Sequence, residues 1–462
     1  MNLSNTVACG ISLICGMACS LGATERPSLD RCITTALEVN SDVRSASARI
    51  TAAKAAIEEA SSAFYPQIGL AGTWARTDNP PQAFFMSLNQ RRASLQKDFN
   101  NPEDAENARG SVTAQWRVYD SGRREADRET VALGARAEAY SLETVRNELV
   151  FEVTHAYLSL LQAREFVAVH QEAVASLEEH LRVANARVAT GGALKIDVLN
   201  LEVQLSQARE ERIRANNRIE LALAALNAAI GKDLVQMADV PFLTDHMSLI
   251  AGKASVEAAP ESRPEWGAVQ ARIGMAEAMT KRARRDYLPV VNAFGSVDWD
   301  CEPFSGPEQS YLVGAVVELN LFDGFRTRAG LARASASLVS AQAQADKLRT
   351  MLALDVTRSR LNEREARERL EIATKGIAVA EEALRITRER YVQGVAEVTD
   401  LITAQTGLTA MKARQVAAHY DHLIALADIE RAGGRLAATR AHKVSGMDLV
   451  EEHSGAARKV SQ

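Results

Sequence analysis

The chain has 462 residues, 47% apolar and 24% charged, with a net charge of −5 and only 5% aromatic residues. That balance belongs to a folded protein, and it lacks the basic excess of a nucleic-acid binder and the acidic run of a solvating tail. Ala, Leu, Glu and Arg dominate, the composition of long helices.

Residues 1–23 carry no charged side chain and read as a secretory signal peptide, with cleavage expected near Ala23. A lipoprotein leader with Cys19 as the modified residue is the alternative. No later stretch approaches 18 uninterrupted apolar residues, so no transmembrane helix is expected. Any membrane crossing would have to use strands. Cys32 and Cys301 remain after the leader. A continuous helix between Cys32 and the strand starting near Tyr65, with Cys301 beyond a second strand, would keep the two thiols apart. Both are expected to be unpaired.

In chain order, a helix over roughly 29–63 leads into a strand over 65–77. A loop, 78–110, carries the breakers Asn79-Pro80-Pro81 and Asn100-Asn101-Pro102, with Phe84-Phe85-Met86 and Asp98-Phe99 between and beside them. A second strand covers 111–120. A helix over about 121–189 would be about 100 Å long at 1.5 Å per residue, and a break at Arg187–Asp197 precedes a returning helix to about 229. The same series then recurs: helix 263–286, strands 288–300 and 311–322, helix 324–392, break at Arg390–Asp400, helix 397–432.

Aligning Arg187 with Arg390 gives an offset of 203 residues, and it also places Tyr119-Asp120 on Phe322-Asp323. Upstream, Ala48-Arg49-Ile50 falls on Ala271-Arg272-Ile273 at an offset of 223, so the shift lies inside the loop. Two tandem units are therefore expected, 24–230 and 263–433, with 231–262 as linker and 434–462 as a loose tail.

The strands alternate. Ser111 to Val118 does so without error. Tyr311, Val313, Ala315, Val317, Leu319 and Leu321 share one face, with Leu312 and Val316 exceptions on the other. Ile68, Leu70 and Trp74 alternate with polar or small residues, and so do Val291, Ala293, Val297 and Trp299, with Phe294 out of phase. Segments of about ten residues with this period match transmembrane β-barrel strands. A small half-wet sheet on the helical body fits the alternation equally well, but an export signal and helices too long for a globule favour the membrane. Four strands cannot close a barrel, so each protomer must lend its strands to a shared one of eight, twelve or sixteen. Along 131–188 the apolar residues recur at mixed three and four spacings, with many alanines between them, as in several helices packed side by side.

These features together resemble the outer-membrane efflux protein (TolC) family. They are the doubled unit, the strand ends Tyr119-Asp120-Ser121-Gly122-Arg123 and Phe322-Asp323-Gly324-Phe325-Arg326, and two breaks of the form Arg-x3-Gly-x5-Asp followed by Val-Leu or Leu-Ile. The resemblance implies a mainly α protein with a membrane β-barrel part. In it, a homotrimer builds a twelve-stranded outer-membrane barrel continued by a long periplasmic α-helical barrel. The implied partners are a periplasmic adaptor, an inner-membrane pump and outer-membrane lipid. Each break then becomes a helix–helix turn at the periplasmic end. Gly191 and Gly394 allow the reversal, and Asp197 and Asp400 lie in the first turn of the returning helices, where negative charge suits the helix dipole. The resemblance makes Arg187, Gly191, Asp197, Arg390, Gly394 and Asp400 the adaptor-docking tips and Asp400 an acidic ring at a narrow entrance. Its second acidic position is Thr403 here, which departs from that pattern and puts cation binding in doubt. A hairpin-forming role alone also accounts for Asp197.

No catalytic motif, phosphate loop or metal signature is present, and no cofactor is expected. His419 and His422, three apart on a helix, lack a third ligand nearby in sequence. A periplasmic adaptor or a coiled-coil envelope protein are the competing classes; neither needs four alternating strands.

Overall fold

A computed structural model describes residues 28–94, 100, 102–232, 260–302, 305–434 and 436. The expected leader with Cys19, most of the linker and nearly all of the tail lie outside these residues, as do Asp98, Phe99 and Asn101.

Helices and strands follow as α1 Leu29–Val39, α2 Ser41–Ser62, β1 Gln67–Thr77, α3 Pro80–Asn89, β2 Ala105–Tyr119, α4 Arg123–Ala189 and α5 Lys195–Ile230. A 3-10 turn, Pro260–Ser262, precedes α6 Pro264–Arg285, β3 Val290–Cys301, β4 Glu308–Glu318, α7 Arg326–Val392 and α8 Val398–Ala432. Among the described residues no helix is long and apolar enough to cross a membrane.

Three expectations need correction. The first helix is not continuous: it breaks at Asn40, whose Oδ1 accepts from the Asp42 amide at 2.8 Å while Nδ2 donates to the Ala229 carbonyl at 3.0 Å. One side chain thus caps α2 and ties it to the end of α5. The loop expected over 78–110 contains α3, started by Asn79 and two prolines, and β2 begins at Ala105 inside it. The fourth strand spans Glu308–Glu318 rather than 311–322, so Leu319, Leu321 and Phe322 lie beyond it.

The four strands form one antiparallel sheet in the order β1-β2-β3-β4. Its register places Leu70 opposite Val112, Val112 opposite Val297 and Val297 opposite Tyr311, and likewise Trp116 opposite Ala293 and Ala293 opposite Ala315. Directly opposed residues share a face, so one face is apolar across all four strands. The other carries Asn107, Arg109, Ser111, Asn292, Asp298, Asp300 and Glu308. The out-of-phase Phe294 lies on this polar face, its ring filling the space where Gly314 has no side chain.

Both strand-to-helix junctions turn through left-handed residues, Ser121 and Gly122 in one and Gly324 and Phe325 in the other. An aspartate closes each. Asp120 accepts from the Gly122 and Arg124 amides at 3.1 and 3.0 Å, and Asp323 accepts from the Thr327 amide at 3.0 Å. That is the physical reason for aspartate at the strand ends: it satisfies the first free amides of a 67-residue helix. Asp120 is buried and pairs with Arg124 at 3.1 Å, whose guanidinium stacks on Phe64 and so ties the end of α2 to the start of α4.

The helices pair as two long hairpins, α4 with α5 and α7 with α8, joined where α4 packs on α8. The main core gathers residues from α1, α2, α4, α5 and α8, including Tyr157, Leu161, Leu226, Ile230, Tyr420 and Leu423. Cys32 lies in it, and burial pushes its thiol up to about 11. It and Cys301 are both free.

Candidate functional site

The site is the far end of the two hairpins, where the sequence breaks. Each long helix ends on a glycine in the left-handed region, Gly191 at φ +77° and Gly394 at φ +78°. The amides that follow return to the helix end: Gly192 to the Arg187 carbonyl at 2.8 Å, and Val395 to the Arg390 carbonyl at 2.9 Å. An L side chain in that conformation costs roughly 1–2 kcal/mol. A Cβ on Gly191 would meet nothing within 4 Å, whereas one on Gly394 would lie 3.2 Å from Arg187 Nη2. Gly394→Ala is therefore expected to destabilise the tips more than Gly191→Ala, read as faster proteolytic nicking between α7 and α8.

The two aspartates at equivalent positions do different things. Asp197 Oδ2 accepts from the Leu194 amide at 3.0 Å, while the Asp197 amide donates to the Leu194 carbonyl at 3.1 Å. It closes the start of α5. Asp400 is exposed and has no hydrogen bond or ion pair among the described residues, and the start of α8 lacks a side-chain cap. Thr403, three residues on, shares its side of the helix. The Thr403 hydroxyl donates back to the Thr399 carbonyl at 2.8 Å. The opposite side of α8 buries Val398, Leu401 and Gln405.

Arg187 and Arg390 also differ. Arg390 is exposed. Arg187 reaches across to the other hairpin: Nη1 donates to the Tyr391 carbonyl, Nη2 donates to the Gly192 carbonyl at 2.7 Å, and the guanidinium stacks 4.8 Å from the Tyr391 ring centre. Tyr391 is buried among Val198, Leu201, Val398 and Leu401, so the two tips share a small core of their own. Burial pushes the Tyr391 hydroxyl up, with Arg187 opposing the rise and Asp197 adding to it.

Further up the hairpins, sequence reading missed a buried polar cluster between α4 and α8. Ser176 Oγ donates to Gln405 Oε1 at 2.6 Å, and His180 Nε2 lies 3.3 Å from Ser176 Oγ and 3.4 Å from Gln405 Oε1. Gln405 Nε2 continues to Thr409 Oγ1 at 3.4 Å. No local pattern marks these residues, because the pairing spans 225 residues of sequence. Burial holds the His180 pKa below its ordinary 6.5, the Gln405 bond opposing, Arg388 assisting and Glu179 opposing. Separated hairpins would bind this proton at a higher pH than packed ones, so contact stability is complete above about pH 6.5 and falls as pH drops below it. His180→Gln is expected to flatten the decline in thermal stability between pH 7.5 and 5.5.

His422 Nδ1 faces Glu363 at 3.8 Å, and among the described residues no group of three ligating side chains gathers around His419 and His422.

The profile of the family described as Outer membrane efflux protein matches residues 32–232 and 256–435. The chain belongs to this family. CyaE of Bordetella pertussis is 25% identical over 376 residues, 80% of this chain and 76% of that protein. TolC of Escherichia coli is 21% identical over 416 residues, 86% and 80% of the two chains. Among solved structures, VceC of Vibrio cholerae superposes with a TM-score of 0.74 at 19% identity, covering 88% of this chain and 96% of that one. The open state of MtrE from Neisseria gonorrhoeae gives 0.73 at 18%, covering 88% and 89%. These structural likenesses establish the fold. Membership of the efflux family makes the protein an outer-membrane exit duct that conducts substrates passively and carries out no catalysis.

Proposed function

We propose that three copies of this chain close into one conduit, with a twelve-stranded barrel in the outer membrane and a twelve-helix barrel in the periplasm. The observation that carries this is a pair of matching open arcs. Among the described residues the sheet ends on β1 and β4, and neither has a second neighbour. The helices run in the order α5, α4, α8, α7, and they too end on two open flanks. Those flanks expose Leu199, Val203 and Ile213 on α5 and Leu354, Ile372 and Val379 on α7. Apolar stripes of this length are not left to water by a monomer. Packing α5 and β1 of one copy on α7 and β4 of the next covers both the helix flanks and the strand edges, and closure removes every bare backbone group from lipid. The apolar sheet face then meets lipid and the polar face lines the bore.

The conduit is built from two tandem copies of one unit. In support, α2 and α6 each have 22 residues and start 223 apart, while α4 and α7 each have 67 and start 203 apart. The paired tips form the narrow periplasmic entrance and the surface on which a periplasmic adaptor, joined to an inner-membrane pump, docks. Asp400, exposed and without a partner among the described residues, supplies an acidic ring; Arg187 holds the two tips together.

Planar-bilayer recording of the purified protein, with its mass determined in the same detergent, tests this reading. A trimer with discrete channels is expected. Asp400→Ala should raise unit conductance or weaken block by divalent cations, since three converging carboxylates favour cations at a pore. A monomer without conductance overturns the conduit, and unchanged conductance and block in the variant overturn the ring.

A further inference from the structure

The segment between β1 and β2 does not hang free of the sheet. It folds across the sheet's polar face at the end farthest from the helices. Gln90, buried at the end of α3, donates to the Asn107 side chain at 3.0 Å, and Asn107 in turn binds Asp300. Arg91 Nη2 donates to the Gln309 carbonyl at 3.1 Å and its Nε lies 3.3 Å from Glu308, while Arg92 pairs with Glu302. Three consecutive residues therefore reach β2, β4 and the residue that follows β3. Arg91 holds a left-handed backbone, φ +53°. That residue closes α3: the Arg91 amide donates to the Leu88 carbonyl at 3.0 Å and the Arg92 amide to the Ser87 carbonyl at 2.8 Å. On its other side α3 presents Phe85 and Leu88, 62% and 43% exposed and one helical turn apart.

We infer that α3 is a strap whose Phe85 and Leu88 meet the same residues of the other two copies on the barrel axis and close the outer mouth. The occupant of this apolar face is thus a second copy of the chain, and the inference rests on the twelve-stranded barrel proposed above. Its support is dimensional. Twelve strands about 4.8 Å apart and tilted by about 40° give a barrel of roughly 12 Å radius. A helix about 10 Å across, laid on the inner wall, brings its free side to the axis. Three such straps fill the opening, and the side chains that meet are apolar. Because α2, α4, α6 and α7 all join the sheet at its opposite end, the strapped end is the extracellular one.

The test uses the full-length protein carrying Cys301→Ser; Cys32 is buried. With Phe85→Cys added, oxidation of isolated outer membranes should give disulfide-linked dimers. Separately, Gln115→Cys places a thiol on the bore wall, to be labelled on intact cells with a bulky polyethylene-glycol maleimide. Adding Phe85→Ser and Leu88→Ser should speed that labelling about tenfold, the factor that about 1.4 kcal/mol of lost contact supplies. A trimer by mass that neither crosslinks nor changes its labelling overturns the strap and leaves the conduit standing. Crosslinks without faster labelling overturn the closure. A monomeric mass overturns the barrel and the strap together.

Discussion

Arg263→Met should lower the thermal stability of the protein by about 3 kcal/mol, the lower end of the cost of breaking a buried ion pair. Arg263 precedes α6, is nearly inaccessible, and gathers three chain segments. Its Nη2 and Nε donate to Glu265 at 2.6 and 3.2 Å, and Nη1 donates to Asp355 of α7 at 2.6 Å and to the last carbonyl of α8, Ala432, at 3.4 Å. Asp355 also accepts from Arg431 at 3.0 Å, and Arg431 donates to Asp428 at 2.8 Å. Methionine fills much of the volume but strips Glu265 and Asp355 of their shared arginine, leaving only Arg431 beside Asp355. The cost stays at the low end because Arg431 still serves Asp355 and both carboxylates are partly wet. Arg263→Lys keeps the charge but not the fork, so it should fall between wild type and methionine. Burial raises the Asp355 pKa, but the hydrogen bonds and charges of Arg431 and Arg263 win and hold it below the ordinary 3.8. The contribution is therefore fully present above that value and is lost only as pH falls below it. Equal melting of Arg263→Met and wild type at neutral pH would refute the argument.

What the sequence disclosed and what it hid follow from the range of the interactions. A period of two is a property of consecutive residues. Tyr311, Val313, Ala315 and Val317 could therefore be put on one face before any register was known, and the register sets them opposite Val297, Gly295, Ala293 and Val291. The ends of α4 and α7 were marked by Gly191 and Gly394, because a left-handed residue is a local demand. Asn40 gave no such mark. Its break is fixed by the Ala229 carbonyl, 189 residues away. The first residues of β2, Ala105 to Gly110, look like loop and become strand through pairing with Thr77–Gly72 and, at their far end, Cys301–Trp299. Pro80 and Pro81 read as loop breakers, yet proline at the first helical positions begins a helix as readily as it ends one, and here they open α3. At the tips, the repeated Arg-x3-Gly-x5-Asp pattern marks both helix reversals, but it does not show which aspartate caps its helix or which arginine crosses between hairpins. The structure separates them: Asp197 caps a helix and Asp400 does not; Arg187 crosses to the other hairpin and Arg390 does not.

That asymmetry yields the largest functional prediction. Arg187→Ala should raise the open-channel conductance or open probability of the reconstituted channel, while Arg390→Ala, at the aligned position, should leave both near wild type. Arg187 donates two hydrogen bonds from a charged group, to the Tyr391 and Gly192 carbonyls, and lies over the Tyr391 ring. Bonds from a charged donor contribute roughly 1.5–3 kcal/mol each when protected, and an exposed cation–π contact about 0.5–1 kcal/mol. Arg187 is partly exposed, so the lower figures apply, and because the Gly192 bond stays within its own hairpin, the link lost between hairpins is about 2 kcal/mol. If the tips must part for the entrance to widen, that loss shifts the balance between closed and open forms by about thirtyfold. Arg187→Lys keeps the charge but cannot span both carbonyls, and should fall between. The small core of Val198, Leu201, Tyr391, Val398 and Leu401 remains in every variant, so the trimer should persist and its mass serves as the control. Should Arg187→Ala and Arg390→Ala change conductance equally, the effect would be charge at the entrance and not the link between hairpins. Should neither change it, the tips do not gate the conduit through this contact.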